Sequence, residues 1–462
     1  MSLRTPDVVA DGVSAHPPLA SDGESTSRVT LGEATKVWAQ IGLMSFGGPA
    51  GQIALMHRIL VEEKSWLDET RFLHALNFCM LLPGPEAQQL ATYVGWLLHR
   101  IRGGLIAGSL FILPGFAVIL VLSFVYVTAG NVPLVQGLFV GLKAAVIVIV
   151  LQAVIRIGRR SLKSVGSATL AIFAFLAMFV WKVPFPYVIL FAAGAGALVA
   201  RVSNNGNAAE HESSEIDVME VDSSAVGTAY VVRCIAIFGT LWFTPTAILI
   251  ALLGADDVFS NIGFFFSKMA VVTFGGAYAV LAYVSQEAVA TYNWLAPGEM
   301  IDGLAMAETT PGPLIMVTQF VGFVAAYRDP GALPPGLAAF LGGALTTWVT
   351  FIPCFLWIFV GAPYVERLRR NRMLSAALSG VTAAVVGVIV NLALWFSIHA
   401  LFGSVSLRQF AGAALEVPVP TSLQTPSLLI VVVAALLVFR FHASMLTTLA
   451  AAGALGALSY LL

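Results

Sequence analysis

The chain is expected to be an all-α polytopic membrane protein of about 13 transmembrane helices, laid out as two homologous, inverted repeats with broken helices. Composition, apolar runs and an internal repeat lead there. Of the 462 residues 58% are hydrophobic and only 11% charged, and the mean hydropathy is +0.88, so the bilayer is the expected solvent. The net charge of −1 gives no reason to expect nucleic acid as a partner.

Apolar runs suited to about 30 Å of hydrocarbon fall near 37–56, 73–98, 104–128, 135–155, 166–182, 185–200, 229–253, 263–284, 301–326, 337–361, 375–402, 427–440 and 443–461. The runs at 185–200 and 427–440 are short, and each can instead form a hairpin with its neighbour. Residues 1–36 lack an apolar core and read as a disordered cytoplasmic tail, not a signal peptide. Residues 37–200 form the first repeat. A hydrophilic cytoplasmic linker over 201–228 carries Glu210, Glu212, Glu215, Asp217, Glu220 and Asp222. One extra span occupies 229–262, and the second repeat fills 263–462.

Basic loops set the orientation. Arg156, Arg159, Arg160 and Lys163 follow the fourth run, and Arg367, Arg369, Arg370 and Arg372 follow the tenth. Both loops are expected in the cytoplasm, with the N-terminus inside and the C-terminus outside; Arg328 is the one violation.

The repeat is visible residue by residue. Ser45-Phe46-Gly47-Gly48 matches Thr273-Phe274-Gly275-Gly276, Trp66 matches Trp294, Leu76 matches Leu304, and Pro83-Gly84-Pro85 matches Pro311-Gly312-Pro313, each pair 228 positions apart. Beyond an insertion the offset becomes 239, pairing Pro114 with Pro353 and Gly141 with Gly380. The basic loops of one half align with uncharged sequence in the other, so equivalent loops face opposite sides. That is the signature of an inverted repeat, a transporter architecture with its site near the midplane; a parallel repeat is the alternative.

The Pro-Gly-Pro triplets interrupt runs otherwise long enough for one helix, since proline removes a backbone donor and clashes with the preceding turn. Broken helices at membrane depth occur where the backbone is buried in protein or lines a cavity, and their amino ends suit an anion; a packing kink is the bland alternative. Ser45, Gly47 and Gly48, with Thr273, Gly275 and Gly276, add hydroxyls and close backbone approach, to a ligand or to another helix. Among intramembrane ionisable groups, Glu86 and Glu308 flank the triplets and are candidate proton-coupling sites or structural clamps. Lys143 is a candidate counter-charge for an anion, or the partner of a carboxylate such as Glu86 or Glu308. Gln88, Gln89, Asn77, Gln319 and Asn391 are donors to oxygens or bridges between helices. Arg100 and Arg102 are anchors on the cytoplasmic side that can draw an anion to an entrance. Cys79, Cys234 and Cys354 have no metal-ligand spacing, and no flavin, haem or nucleotide motif is present, so neither metal nor cofactor is expected and an embedded reductase is disfavoured.

At Ser45-Phe46-Gly47-Gly48-Pro49, Trp66-Leu67 and Leu82-Pro83-Gly84-Pro85, with their echoes in the second half, the chain resembles the chromate ion transporter family in its long, two-domain form, over roughly residues 37–460. The resemblance implies efflux of chromate across a bacterial inner membrane, with sulfate as analogue and the proton motive force as energy source, and hence chromate resistance. The halves differ where Ala277 stands against Pro49 and Leu314 against Glu86. A sulfate or other oxyanion transporter or exchanger, or a passive anion channel, are the other readings. A homodimer is compatible with the sequence.

Overall fold

The computed structural model describes residues 29–203, 227–365, 371–410 and 413–461. Helix α1 (Leu31–Met44) starts where Thr30 Oγ1 accepts the Glu33 N–H at 3.2 Å. The chain breaks at Ser45 and restarts as α2 (Gly48–His57), which runs into a π turn, Arg58–Glu63. Asp68 caps α3 (Glu69–Cys79), which stops before Pro83-Gly84-Pro85. Helix α4 (Glu86–Ala129) then folds back on itself at His99 and Arg100, both outside helical dihedrals. Its two arms touch through small residues: a Cβ at Gly95 would overlap the Gly103 carbonyl, and one at Gly104 would lie 3.0 Å from the Thr92 carbonyl.

Helix α5 (Pro133–Ser161) follows, then the hairpin α6 (Val165–Phe179) and α7 (Phe185–Ser203), and the extra helix α8 (Thr228–Leu253). The second repeat runs through the same order with α9 (Val258–Val272), α10 (Ala277–Gln286), α11 (Pro297–Thr309), α12 (Val317–Arg328), α13 (Pro335–Gly361) and α14 (Arg372–Leu401). It closes with α15 (Thr425–Ala435) and α16 (Met445–Leu461). Among the described residues six helices are long and apolar enough to cross a membrane, and shorter apolar helices complete an all-α polytopic protein.

Three expectations change. The runs 37–56 and 263–284 are not single spans, because each is broken into half-length helices at its glycine pair. Gly47 and Gly276 sit at φ +91° and +92°, a left-handed conformation that glycine alone adopts cheaply. Helix starts at Leu31, inside the expected tail. A two-stranded antiparallel hairpin, β1 (Val405–Phe410) and β2 (Ala413–Pro418), pairs Val405 with Pro418 between α14 and α15, where the sequence reading assigned no element. The rest of the tail, the acidic linker residues Glu210 to Asp222, and Arg367, Arg369 and Arg370 lie outside the described residues.

The closing hairpins exchange partners. Gly137 and Gly141 of α5 face Gly456 and Ala452 of α16, while Ala376 and Gly380 of α14 face Gly196 and Ala192 of α7. Equivalent residues thus make the same contact twice, each repeat packing its last helices on the other's long helix.

At the charged turn that ends α2, beyond the apolar run 37–56, His57 Nδ1 stands 3.1 Å from Glu62 Oε1 and Nε2 meets Glu69 Oε2. The hydrogen bond to Glu69, opposed by partial burial, raises the His57 pKa above its ordinary 6.5. A raised folded pKa gives a contribution fully present below the unfolded value and lost as pH rises through the folded one. The melting-temperature difference between the parent and His57→Gln is therefore expected to be constant below about pH 6.5 and to shrink above it; a flat difference up to about pH 8.5 would refute this.

Candidate functional site

The four breaks meet inside the protein and hold one another. The Gly84 N–H donates to the Thr273 carbonyl at 2.8 Å, and the Gly312 N–H donates to the Ser45 carbonyl at 2.9 Å. These are one contact made twice with the repeats exchanged, and they satisfy backbone that a broken helix leaves unpaired. Gln52 Nε2 adds a bond to the Gly312 carbonyl at 2.6 Å, and Gln89 Nε2 one to the Pro83 carbonyl at 2.8 Å. The hydroxyls of Ser45 and Thr273 donate back into their own helices, to Ile41 O at 2.6 Å and Met269 O at 2.7 Å, leaving only lone pairs for any neighbour.

Around these staples the amino ends of α2, α4, α10 and the turn Leu314–Met316 that leads into α12 enclose a cavity of about 10 Å³. Pro49, Gln52, Pro85, Glu86, Gly276 and Pro313 line it. Each helix start carries N–H groups without intrahelical partners and about half a positive charge. Four such ends sum to roughly +2, the complement of a dianion. The volume suits one water-sized body and is smaller than a tetrahedral oxyanion, so the protein is closed around this point.

One carboxylate lines this cavity and a second lies behind Tyr278, whose hydroxyl is 3.7 Å from where a Cβ of Gly48 would be. Glu86 lines the cavity wall beside Gly276. Glu308, 1% exposed, accepts from the Tyr278 hydroxyl at 2.8 Å through Oε1, and its Oε2 has no hydrogen-bond partner. Arg156 and Arg160, on the last turns of α5, lie within electrostatic reach of Tyr278 and Glu86 respectively.

Other residues singled out from the sequence lie elsewhere. Lys143 pairs with Asp302 at 3.1 Å, not with Glu86 or Glu308, because α5 carries it past the amino end of α11 into a separate cavity of about 580 Å³. Arg100 lies over the Trp96 ring at 5.0 Å, at the α4 turn, and Arg102 is exposed. Neither lines the small cavity. Gln319 bridges to the Phe116 carbonyl at 3.0 Å and Gln88 to Thr92 at 3.0 Å. Sequence reasoning passed over Tyr278, Gln52 and Asp302. Asp302 carried a signal, being an ionisable residue inside the apolar run 301–326; Tyr278 and Gln52 carried only their closeness to a break.

A family model described as chromate transporter matches residues 32–197 and 260–457, once for each repeat. The chain belongs to the chromate transporter family. This is a family of transporters, not of enzymes. The chromate transport protein of Cupriavidus metallidurans is 28% identical over 410 residues, covering 84% of this chain and 86% of its own. That of Pseudomonas aeruginosa is 33% identical over 353 residues, covering 76% and 77%. The uncharacterized transporter YwrA of Bacillus subtilis is 29% identical over 160 residues, 34% of this chain and 90% of its own length, and so matches about one repeat. No solved structure matches this chain.

Proposed function

We propose that this protein is a secondary active exporter of chromate, set in a bacterial inner membrane with its N-terminus in the cytoplasm, energised by the proton motive force and conferring chromate resistance. The observation that carries the reading is the convergence of four helix amino ends from two repeats on one closed cavity, with about two positive charges for a dianion. A membrane potential negative inside drives each negative charge outward by about 2.3 kcal/mol per 100 mV, so a dianion gains roughly twice that. An ionised carboxylate beside the dianion is repulsive, which pairs anion binding with protonation of Glu86 or Glu308 and anion release with ionisation. Protons carried outward with the anion run against the proton gradient and cancel part of its charge, so the potential drives export while fewer than two protons travel with each dianion. Exchange of the staples Gly84 to Thr273 and Gly312 to Ser45 for equivalent contacts supplies the two-sided access of an inverted repeat.

The test is chromate uptake into inverted vesicles under an imposed potential and proton gradient. Uptake is expected to saturate, to collapse with an uncoupler and to be inhibited by sulfate, which shares charge and shape with chromate. Glu308→Gln is expected to keep chromate binding and lose the pH dependence of uptake. Flux that never saturates would make the protein a pore, and flux indifferent to the potential would remove the reading.

A further inference from the structure

A second group of charges surrounds the cavity of about 580 Å³, between the carboxyl ends of α4 and α12 and the amino ends of α5 and α11. It opens at the end of α5 opposite Arg156, Arg159 and Arg160. Two of its charges are committed to the fold: Glu299 caps α11 by accepting the Ala296 N–H at 2.8 Å, and Arg328 binds Glu299 at 2.6 Å and the Trp294 carbonyl at 2.8 Å.

Lys143 is held differently. Among the described residues its one ionic partner is Asp302 Oδ1 at 3.1 Å, and that oxygen, on a residue 5% exposed, makes no other polar contact. The ammonium also stands over the amino end of α11, 3.4 Å from where a Cβ of residue 298 would be. A cation is disfavoured at a positive helix end, so lysine and helix end together form a positive site that the Asp302 carboxylate balances.

We propose that this cavity is a second oxyanion subsite, in which a tetrahedral dianion takes Lys143 and the amino end of α11 by displacing Asp302. The inference rests on the transport reading above and extends it along α11, which leads from Asp302 to Glu308, six residues and about 9 Å further on. Neutralising Asp302 with a proton from the cavity side has the same effect as displacing it. The charged and titratable groups around Asp302 are Lys143 from α5, Tyr126 from α4, Arg328 and Tyr327 from α12, Tyr460 from α16 and Glu299 on its own helix. Tyr126 donates to the second Asp302 oxygen at 3.1 Å and holds the carboxylate in place. The repeat has no second copy of this pair, since the positions equivalent to Lys143 and Asp302 hold Thr382 and His74.

The test is equilibrium binding of radiolabelled sulfate to the purified full-length protein. Parent binding is expected to tighten as pH falls from about 8 to about 6, and Asp302→Asn to bind about tenfold tighter at the higher pH with a shallower profile, the remaining slope belonging to Glu86 and Glu308. Adding Lys143→Gln to that variant should erase the gain. Tyr126→Phe, which removes one hydrogen bond and little packing, should give a smaller gain in the same direction and serves if Asp302→Asn does not fold. Unchanged binding in the folded variants, or a gain that survives loss of Lys143, overturns the subsite. If vesicles take up chromate while Asp302→Asn binds like the parent, the subsite falls and transport stands. If Asp302→Asn tightens binding while vesicles take up no oxyanion, transport falls and the subsite stands.

Discussion

Gly141→Leu is expected to remove most of the folded protein from the membrane. Even a single Cβ at Gly141 would overlap the Ala452 carbonyl and lie 2.9 Å from the Gly453 Cα; backbone has no rotamer with which to step aside. Helices in a bilayer associate through close packing of small residues and not through expulsion of water, so driving α5 and α16 apart removes their main attraction. Overpacking commonly costs about 1–3 kcal/mol, and each 1.4 kcal/mol is about tenfold in a folding equilibrium. Gly380→Leu should fail equally, since a Cβ there would overlap the Ala192 carbonyl. Gly239→Leu is the control, because nothing lies within 4 Å of its Cβ position. Fluorescence-detected size exclusion of the three variants checks this ranking; monodisperse Gly141→Leu at parental yield would show that the exchanged packing is not what holds the halves.

Gly312→Ala is expected to cut transport per folded molecule at least about tenfold, an effect of ~1.4 kcal/mol or more. Gly312 sits at φ +94°, where an L-residue is strained by about 1–2 kcal/mol, and the new methyl would lie 3.2 Å from the Gly115 Cα and 3.3 Å from the Phe111 carbonyl. Relief requires movement of the loop whose N–H donates to Ser45 and whose end starts α12. Gly47→Ala separates strain from crowding, because Gly47 has φ +91° but nothing within 4 Å of its Cβ position. It should lose only a few-fold in transport. Chromate uptake normalised to folded protein decides between them; equal and parental rates in both would mean that the converging amino ends are not where the anion passes.

What was legible in the sequence was whatever leaves a local mark. Proline and positive-φ glycine constrain their own backbone, so the breaks at Pro83-Gly84-Pro85 and Pro311-Gly312-Pro313 and the relation between the halves could be read directly. The break at the glycine pairs was weaker, because Gly-Gly inside an apolar run also serves close helix packing. Tertiary pairing leaves no such mark: nothing near Lys143 in the sequence points to Asp302, and nothing in α5 names α16 as its cover. The hairpin at Val405–Pro418 was missed because its alternation is short and lies between apolar runs that dominate the pattern. In the sequence Ser45 and Thr273 stand out by their hydroxyls, yet in the fold their carbonyls make the contact between the repeats.

The exchanged closing helices also set a schedule for making the protein. Helix α5 leaves the ribosome early, but the helix that covers its Gly137 and Gly141 stripe is the last of the described helices to be made. About 280 residues separate Ser161 from Met445, some 15–60 s of synthesis at roughly 5–20 residues per second. For that interval the first repeat sits in the membrane with an unsealed seam, exposed to lipid, to insertion machinery and to quality-control proteases. A message truncated shortly before Met445 therefore leaves its deepest gap not beside the missing segment in sequence but in the half of the protein that was made first.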